Sequence, residues 1–493
     1  MATPEVILQT LCSPSIPIQH LGLALLRKAA LAVSDASIVA SWTDIIKKLV
    51  ELLLVSEDTG VSSRADEVLV KLLAVDLPGN KGTGLVWRRL LEDRGVYELF
   101  FKFCSWHGDD LPGGKRAKTE GQGRLLGFVS RMSELDFGAT VASRFPDIEE
   151  RYKGSPGVPC QGFLDFAARH AIKAEEDVMM HMILLDFYTS LLRSSGSSSN
   201  SFRTGALDYF HFSRVHESTI GRYLAPEEYS DDPLEQTLLE SKSAEYISTY
   251  AVLHPQKLML ESTPEIPGHN HPERLGSAPA LAPADLGGKA LPEALLNRIQ
   301  HHLVTSPKTP HSPSLKLLTA LSPFLLNSAY NPVSTIEKIP LSPPSAEYIN
   351  ALSALFTSQE VYIHYYGAHP EMWRTLLSYA SALALREVSL ASIDLMEKLG
   401  TGALWGLQLL LAAPGVMTFL ATPNTRTGGN DPSSTAYAVA MKKWACLLAV
   451  EKALDTWGDQ IAGAQEWKVI VGHRRQAGVW GSAAGGEVAT LEM

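Results

Sequence analysis

Two histidines and a carboxylate sit close together at His269, His271 and Glu273, residue types that hold a transition metal. Their setting argues against a site. They fall in a run rich in proline, glycine and alanine, Thr263 to Pro292, and the chain has no HExxH or CxxC pattern. A solvated loop is the simpler reading, and neither a metal nor any other cofactor is expected. His301, His302 and His311 read as surface residues. A phosphate loop needs glycine, four residues and then Gly-Lys-Ser/Thr, so that backbone N–H groups wrap the phosphates. The stretch DDLPGGKRAK begins on Asp109 and puts Arg116 where the hydroxyl belongs. Gly79-Asn-Lys-Gly-Thr-Gly84 lacks the dinucleotide order, and no strand precedes it. Serines are plentiful without a GxSxG elbow. Glu175, Glu176 and Asp177 read as a helix start, where negative charge suits the macrodipole. No catalytic constellation emerges, so the chain is read as a non-enzyme.

What remains suits binding. Lys115, Arg116 and Lys118 form a short basic cluster in a polar, glycine-rich stretch, His107 to Gly123, read as a loop. The cluster could serve nuclear import or contact phosphate, but three charges are more simply solubilising. Ser306, Thr309 and Ser312 each precede a proline, as in kinase targets and as in any proline-rich loop. The aromatics Tyr362, His364, Tyr365, Tyr366, His369 and Trp373 are densely spaced. Exposed, they would make a binding hot spot; buried between helices, they are core, and Tyr362 and Trp373 favour burial.

The elements that must carry these residues read as helices. Ser63-Arg-Ala-Asp66 has capping-box spacing, and Ala65, Val68, Leu69, Leu72 and Leu73 then form one stripe. Trp42 to Val55 supplies a partner helix, and Pro78 a stop. Arg88 to Trp106 reads as two short helices meeting near Gly95, and Arg124 to Leu135 as another. Ala174 to Arg193 is apolar on two adjoining faces, one with Leu185 and Leu192, the other with Leu184 and Leu191, which predicts burial between neighbours. Pro370 begins a helix carrying Met372, Leu376 and Ala380, and Arg386 to Leu399 aligns Val388, Ala391, Ser392, Leu395 and Leu399, closed by Gly400. Hairpins of roughly 40 residues predict an all-α, HEAT/armadillo-like α-solenoid of degenerate repeats. The expected divisions are 1–262 and 293–460 as helical halves, 263–292 as a Pro/Gly-rich loop and 461–493 as a Gly-rich tail.

The totals agree. A chain of 493 residues exceeds the roughly 250–300 that one core organises. A net charge of −10 opposes a dedicated nucleic-acid binder. Four scattered cysteines, Cys12, Cys104, Cys160 and Cys446, suit reduced thiols of cytoplasm or nucleus, and MATPEVILQTLCSPS shows no secretory signal. Ala403 to Ala421 is mostly apolar, but Pro414-Gly415 cuts it, which predicts two short helices in place of a membrane span.

Several stretches together, SSRADEVLVKLL, RLLEDRGVYELFFKFC, RLLGFVSRMSELDF, EEDVMMHMILLDFYTSLL and VYIHYYGAHPEMWRTLLSYASALALRE, resemble the fungal proteasome-assembly chaperone family first named for DNA mismatch repair. Its animal relative is the non-ATPase proteasome assembly factor. The likeness covers most of residues 40 to 400 and rests on helical wording without a short motif. It implies a C-shaped α-solenoid that holds the C-terminal small domain of an AAA ATPase subunit of the proteasome base. The chain is expected to be a monomer by itself and, from its charge and hydropathy, to bind no nucleic acid and no membrane. A general solenoid adaptor in transport or trafficking and a DNA-repair accessory factor are the alternatives. In such arrays the second helix of each hairpin lines the concave side. That makes the polar stripes Arg64, Glu67, Lys71 and Glu387, Asp394, Lys398 the expected protein-binding residues, with Tyr365 and Tyr366 next.

Overall fold

Helices are the regular elements of the computed structural model, which describes residues 3–77, 82–106, 114–154, 158–197, 202–261, 290–306, 308, 310–325, 333–423 and 431–480, with no strand among them. His269, His271, Glu273, Pro78 and Thr309 lie outside these residues. The all-α class is as expected. The described chain divides into two units, one ending at Pro255 and the other beginning at Gln256, a little before the expected boundary at 262.

The first unit runs α1 (Pro4–Leu11), α2 (Ile16–Ala29), α3 (Val33–Ser41), α4 (Thr43–Val55), α5 (Thr59–Val75), α6 (Leu85–Leu91), α7 (Arg94–Cys104) and α8 (Gly114–Leu135). Short α9 (Phe137–Val141), α10 (Pro146–Arg151) and α11 (Phe163–Asp165) follow, and then α12 (Val178–Ser197), α13 (Phe202–Phe212), α14 (Val215–Leu224) and α15 (Pro233–Leu253). Within it α4, α8, α12 and α15 pack in that order as a row, each against the next. The stripe Ala65, Val68, Leu69, Leu72 and Leu73 is wholly buried. Its helix starts earlier than predicted: Asp58 is the cap, accepting from the Val61 N–H at 2.7 Å, so the capping-box pair Ser63 and Asp66 falls mid-helix.

The stretch read as a loop up to Gly123 is helical from Gly114, so Lys115, Arg116 and Lys118 stand on α8. Tertiary contacts override the glycines there. Gln122 donates to the carbonyls of Cys104 (3.0 Å) and Ala171 (2.6 Å), and Arg116 pairs with Glu120 at 2.9 Å. Gly121 is needed for close approach, since a Cβ there would lie 2.8 Å from the Leu54 carbonyl oxygen. On α12 the two predicted faces are both buried through Leu184, Leu185, Leu191 and Leu192, and Asp177 caps its start.

α16 (Pro255–Leu260) stands at the division. The second unit continues with α17 (Leu291–Thr305), α18 (Ser312–Leu325), α19 (Val333–Ile336), α20 (Ala346–Leu355), α21 (Gln359–Ala368), α22 (Met372–Ala380) and α23 (Arg386–Gly402). It ends with α24 (Leu404–Ala412), α25 (Val416–Ala421), α26 (Thr435–Trp457) and α27 (Ala464–Gln476). Here α18, α20, α23 and α26 form the row. The α23 stripe is buried at all five predicted positions. Gly400 does not end this helix: it lies inside it, where a Cβ would meet a Leu410 methyl at 2.6 Å. α22 begins at Met372, two residues after Pro370. The apolar run splits as foreseen into α24 and α25 around Gly415 at φ 77°, and no helix among the described residues is long and apolar enough to cross a membrane. α27 occupies a stretch expected as tail.

Candidate functional site

The residues expected to bind a partner fall into three groups. On α5, Arg64 is exposed, whereas Glu67 accepts from Lys71 at 2.7 Å and meets Arg27 of α2 at 3.2 Å. The hydrogen bond from Lys71 is the main cause holding the Glu67 carboxyl below its usual range. Glu67 therefore ties α5 to α2, with Lys71 bracing it from within α5, and both remain partly in solvent. On α23, Glu387 is exposed, Asp394 is paired with Lys442 of α26, and Lys398 donates to the Ser353 carbonyl at the end of α20. Two of these three side chains join neighbouring helices. The stripe lies against α20 and α26, so what looks like a free face in sequence is partly an internal seam.

The aromatic group on α21 and α22 is mostly core. Tyr365 has no exposure and donates to the Ile339 carbonyl at 2.9 Å, so it is withdrawn from the surface contacts expected above. Its hydroxyl is more than a surface stripe can reveal: burial raises its pKa, and the buried O–H needs the acceptor that Ile339 supplies. Trp373 donates to the Tyr362 hydroxyl at 2.8 Å, and both are buried as expected. Tyr366 stacks on Tyr362 with ring centres 5.8 Å apart and is half-buried. What the group leaves in solvent is His364 and Ile363.

The glycine-rich stretch before α6 does cradle an anion, one of the chain's own. Asp76 accepts from the N–H groups of Thr83 (2.7 Å), Gly84 (3.1 Å) and Val86 (2.7 Å) and from the Thr83 hydroxyl (2.8 Å). Gly84 takes φ 69°, the left-handed backbone that glycine allows. The buried carboxylate thus caps the amino end of α6, filling the place a phosphate would need.

Sequence spacing gave no sign of Cys160, Asp165 and His170, which converge in the first unit with their ligand-type atoms within 4.8 Å of one another. The donor set does not suit a cation. Both oxygens of Asp165 bind Arg169, each at 2.6 Å, and it accepts further from Tyr209 (2.8 Å) and the Gln161 N–H (2.8 Å). Nδ1 of His170 accepts from the Gly154 N–H at 3.1 Å, which leaves the proton of the neutral ring on Nε2, the nitrogen facing Asp165. Burial raises the Cys160 thiol, opposing the thiolate a metal takes. A π-helical turn, Phe166–His170, places Arg169 and His170, and the cluster acts as a buried ion pair joining this turn to α13.

The surface feature absent from the sequence reading lies at the start of the chain. On α2, Ile18, Leu21 and Leu25 recur at i, i+3 and i+7 and all stay in solvent, Leu21 at 57% exposure. Val6 on α1 and Leu31 just after α2 are also exposed. The buried side of α2, with Leu23 and Leu26, packs against α1 and α5. Such a helix is apolar on two sides with only one covered among the described residues, and exposed apolar patches of that kind mark contact surfaces. No family model matches the chain, and no curated protein matches it.

Proposed function

We propose that the chain is an assembly chaperone for the regulatory-particle base of the proteasome, holding the C-terminal small domain of an AAA ATPase subunit. The observation that carries the protein-binding part is the apolar face of α2, Ile18, Leu21 and Leu25, exposed at i, i+3 and i+7 of one helix. The choice of partner rests on the resemblance of the five stretches, which fold as α5, α6–α7, α8, α12 and α21–α23. Stacked hairpins suit such a role because each needs only its neighbours, so a long surface is built from local packing. Holding and releasing a subunit requires broad contact and no nucleophile. Arg64 and Glu387 are the exposed members of the expected stripes that reach no neighbouring helix among the described residues, and so the polar contacts to test, with α2 supplying the apolar part.

The experiment is titration of the full chain against the isolated C-terminal domains of the proteasome ATPases, one at a time, with native affinity purification alongside. One domain binds, and Leu21→Glu with Leu25→Glu weakens it at least about tenfold, as loss of a buried apolar anchor does. Failure of every ATPase domain to bind, with no proteasome subunit recovered from extract, overturns the reading. Recovery of transport or membrane-trafficking proteins in their place supports the adaptor reading.

A further inference from the structure

In the first unit a cavity of about 490 Å³ opens beside the amino end of α14. Its wall is apolar where Trp106, Leu184 and Tyr188 line it and cationic at Lys173, Arg214 and Arg222. Arg214 occupies the cap position of α14 at φ 56° and ψ 17° and offers the helix no side-chain cap. The first-turn N–H groups of a helix carry its positive end and favour an anion. An independent feature points the same way. His181 of α12 lines the cavity, is only 7% exposed, and makes no hydrogen bond through its ring among the described residues. The ring therefore turns its polar atoms to the cavity, and a ligand there would supply the partner they lack.

The charges around it are unevenly matched. Lys173 pairs with Glu176, and Arg169, also on the wall, pairs with Asp165. Arg222 donates to the Ser218 hydroxyl at 2.5 Å and lies over the Tyr229 ring at 4.9 Å. Arg214 is exposed at the cavity edge with no carboxylate partner among the described residues. This donor set asks for a ligand rich in acceptors at one end and apolar at the other. We propose that the cavity binds a small organic phosphate monoester, its phosphoryl group at the amino end of α14 beside Arg214 and His181 and its apolar body against Trp106 and Tyr188. A phosphoryl group fits better than a carboxylate because its three oxygens can serve backbone N–H groups, a guanidinium and an imidazole together. The volume falls within the roughly 300–1,000 Å³ of small-molecule pockets, more than a bare phosphate ion fills. The site is independent of the partner-binding surface on α2, so its test does not hinge on the chaperone reading.

Calorimetric titration of the full chain with phenyl phosphate and with adenosine 5′-monophosphate tests it, with inorganic phosphate and phenol as comparisons. At least one ester binds, more tightly than inorganic phosphate, and phenol does not bind. Arg214→Gly removes the guanidinium while placing at φ 56° the residue most at ease there, so the fold is retained. It weakens the ester about tenfold, the worth of one charge-assisted hydrogen bond, and Lys173→Gln weakens it as well. Absence of binding by both esters at millimolar concentration overturns the proposal. So does equal affinity in wild type and Arg214→Gly, or inorganic phosphate binding as well as the esters, which would make this a site for an adventitious ion only.

Discussion

The Tyr97 hydroxyl donates to Glu149 at 2.9 Å, with both residues withdrawn from solvent. Glu149 also accepts from the Ser143 hydroxyl at 2.6 Å and the Arg144 N–H at 3.1 Å, so α7 anchors α10 through one carboxylate. The Tyr97 ring packs on Phe101, Phe145 and Phe163 and would remain in Tyr97→Phe. That variant removes a single donor to a buried charge and is expected to cost about 1–3 kcal/mol. Hydrogen exchange of α7 and α10 amides measures it locally, which suits a chain of two units better than one melting curve.

Gly121 and Gly123 are two residues apart on α8 and should respond with opposite signs. Alanine at 121 drives a methyl against the Leu54 carbonyl oxygen, forcing α8 from α4 at about 1–3 kcal/mol. Alanine at 123 meets nothing within 4 Å and raises stability by about 0.5–1 kcal/mol through helix propensity. Paired denaturant titrations read both. Equal shifts would mean that α8 does not approach α4 as closely as described.

Leu72→Asp puts a carboxylate at a position with no exposure and no nearby cation among the stripe residues. Several kcal/mol of destabilisation is expected, on the order of an unpaired buried charge. A wild-type melting profile would show that α5 opens this face to water.

Acid should loosen the first unit through His181. Burial first, and then the Arg222 charge, push its pKa down to about 3, against about 6.5 for an exposed histidine. Above pH 6.5 the ring is neutral in both folded and unfolded chain, and no stability is lost. As pH falls below 6.5 the unfolded chain takes up a proton the folded ring refuses, so stability declines by up to roughly 1.4 kcal/mol per unit until about pH 3. His181→Gln should flatten this slope between pH 6.5 and 4.5, measured by chemical denaturation at fixed ionic strength. An unchanged slope would locate the acid sensitivity elsewhere.

Glu387 and Asp394, alike in sequence, should separate in experiment. Asp394→Lys faces Lys442 and loosens α23 from α26, by on the order of 1 kcal/mol for a half-exposed pair. Glu387→Lys leaves melting unchanged and alters only the rate and salt dependence of partner binding. Stopped-flow association at two salt concentrations distinguishes a contact from a bystander.

The helical class was legible because a stripe such as Ala65 to Leu73 or Val388 to Leu399 is a local pattern, fixed by 3.6 residues per turn whatever the helix meets. The Pro414-Gly415 break was legible for the same reason, since proline and glycine act on their own backbone. The start of α8 was not, because three glycines and a polar run read as loop until Gln122 finds the Cys104 and Ala171 carbonyls. α1 to α3 were missed too: their apolar residues point both inward and outward, which blurs the period.

Sequence alone therefore settled that this protein is built of amphipathic helices and which residues face the interior where the stripe is regular, as on α5, α12 and α23. Tertiary structure decided which polar residues are free. Asp66 looked like half of a capping box and instead pairs with Arg131 of α8, and Tyr365 looked like a contact and is core. It also gathered Trp106, His181 and Arg214 around one cavity from α12, α14 and the chain after α7. The physical reason is range. Backbone propensity and periodicity act over one or two turns, whereas desolvation, ion pairing and cavity shape depend on residues tens of positions away, brought together only when the helices pack.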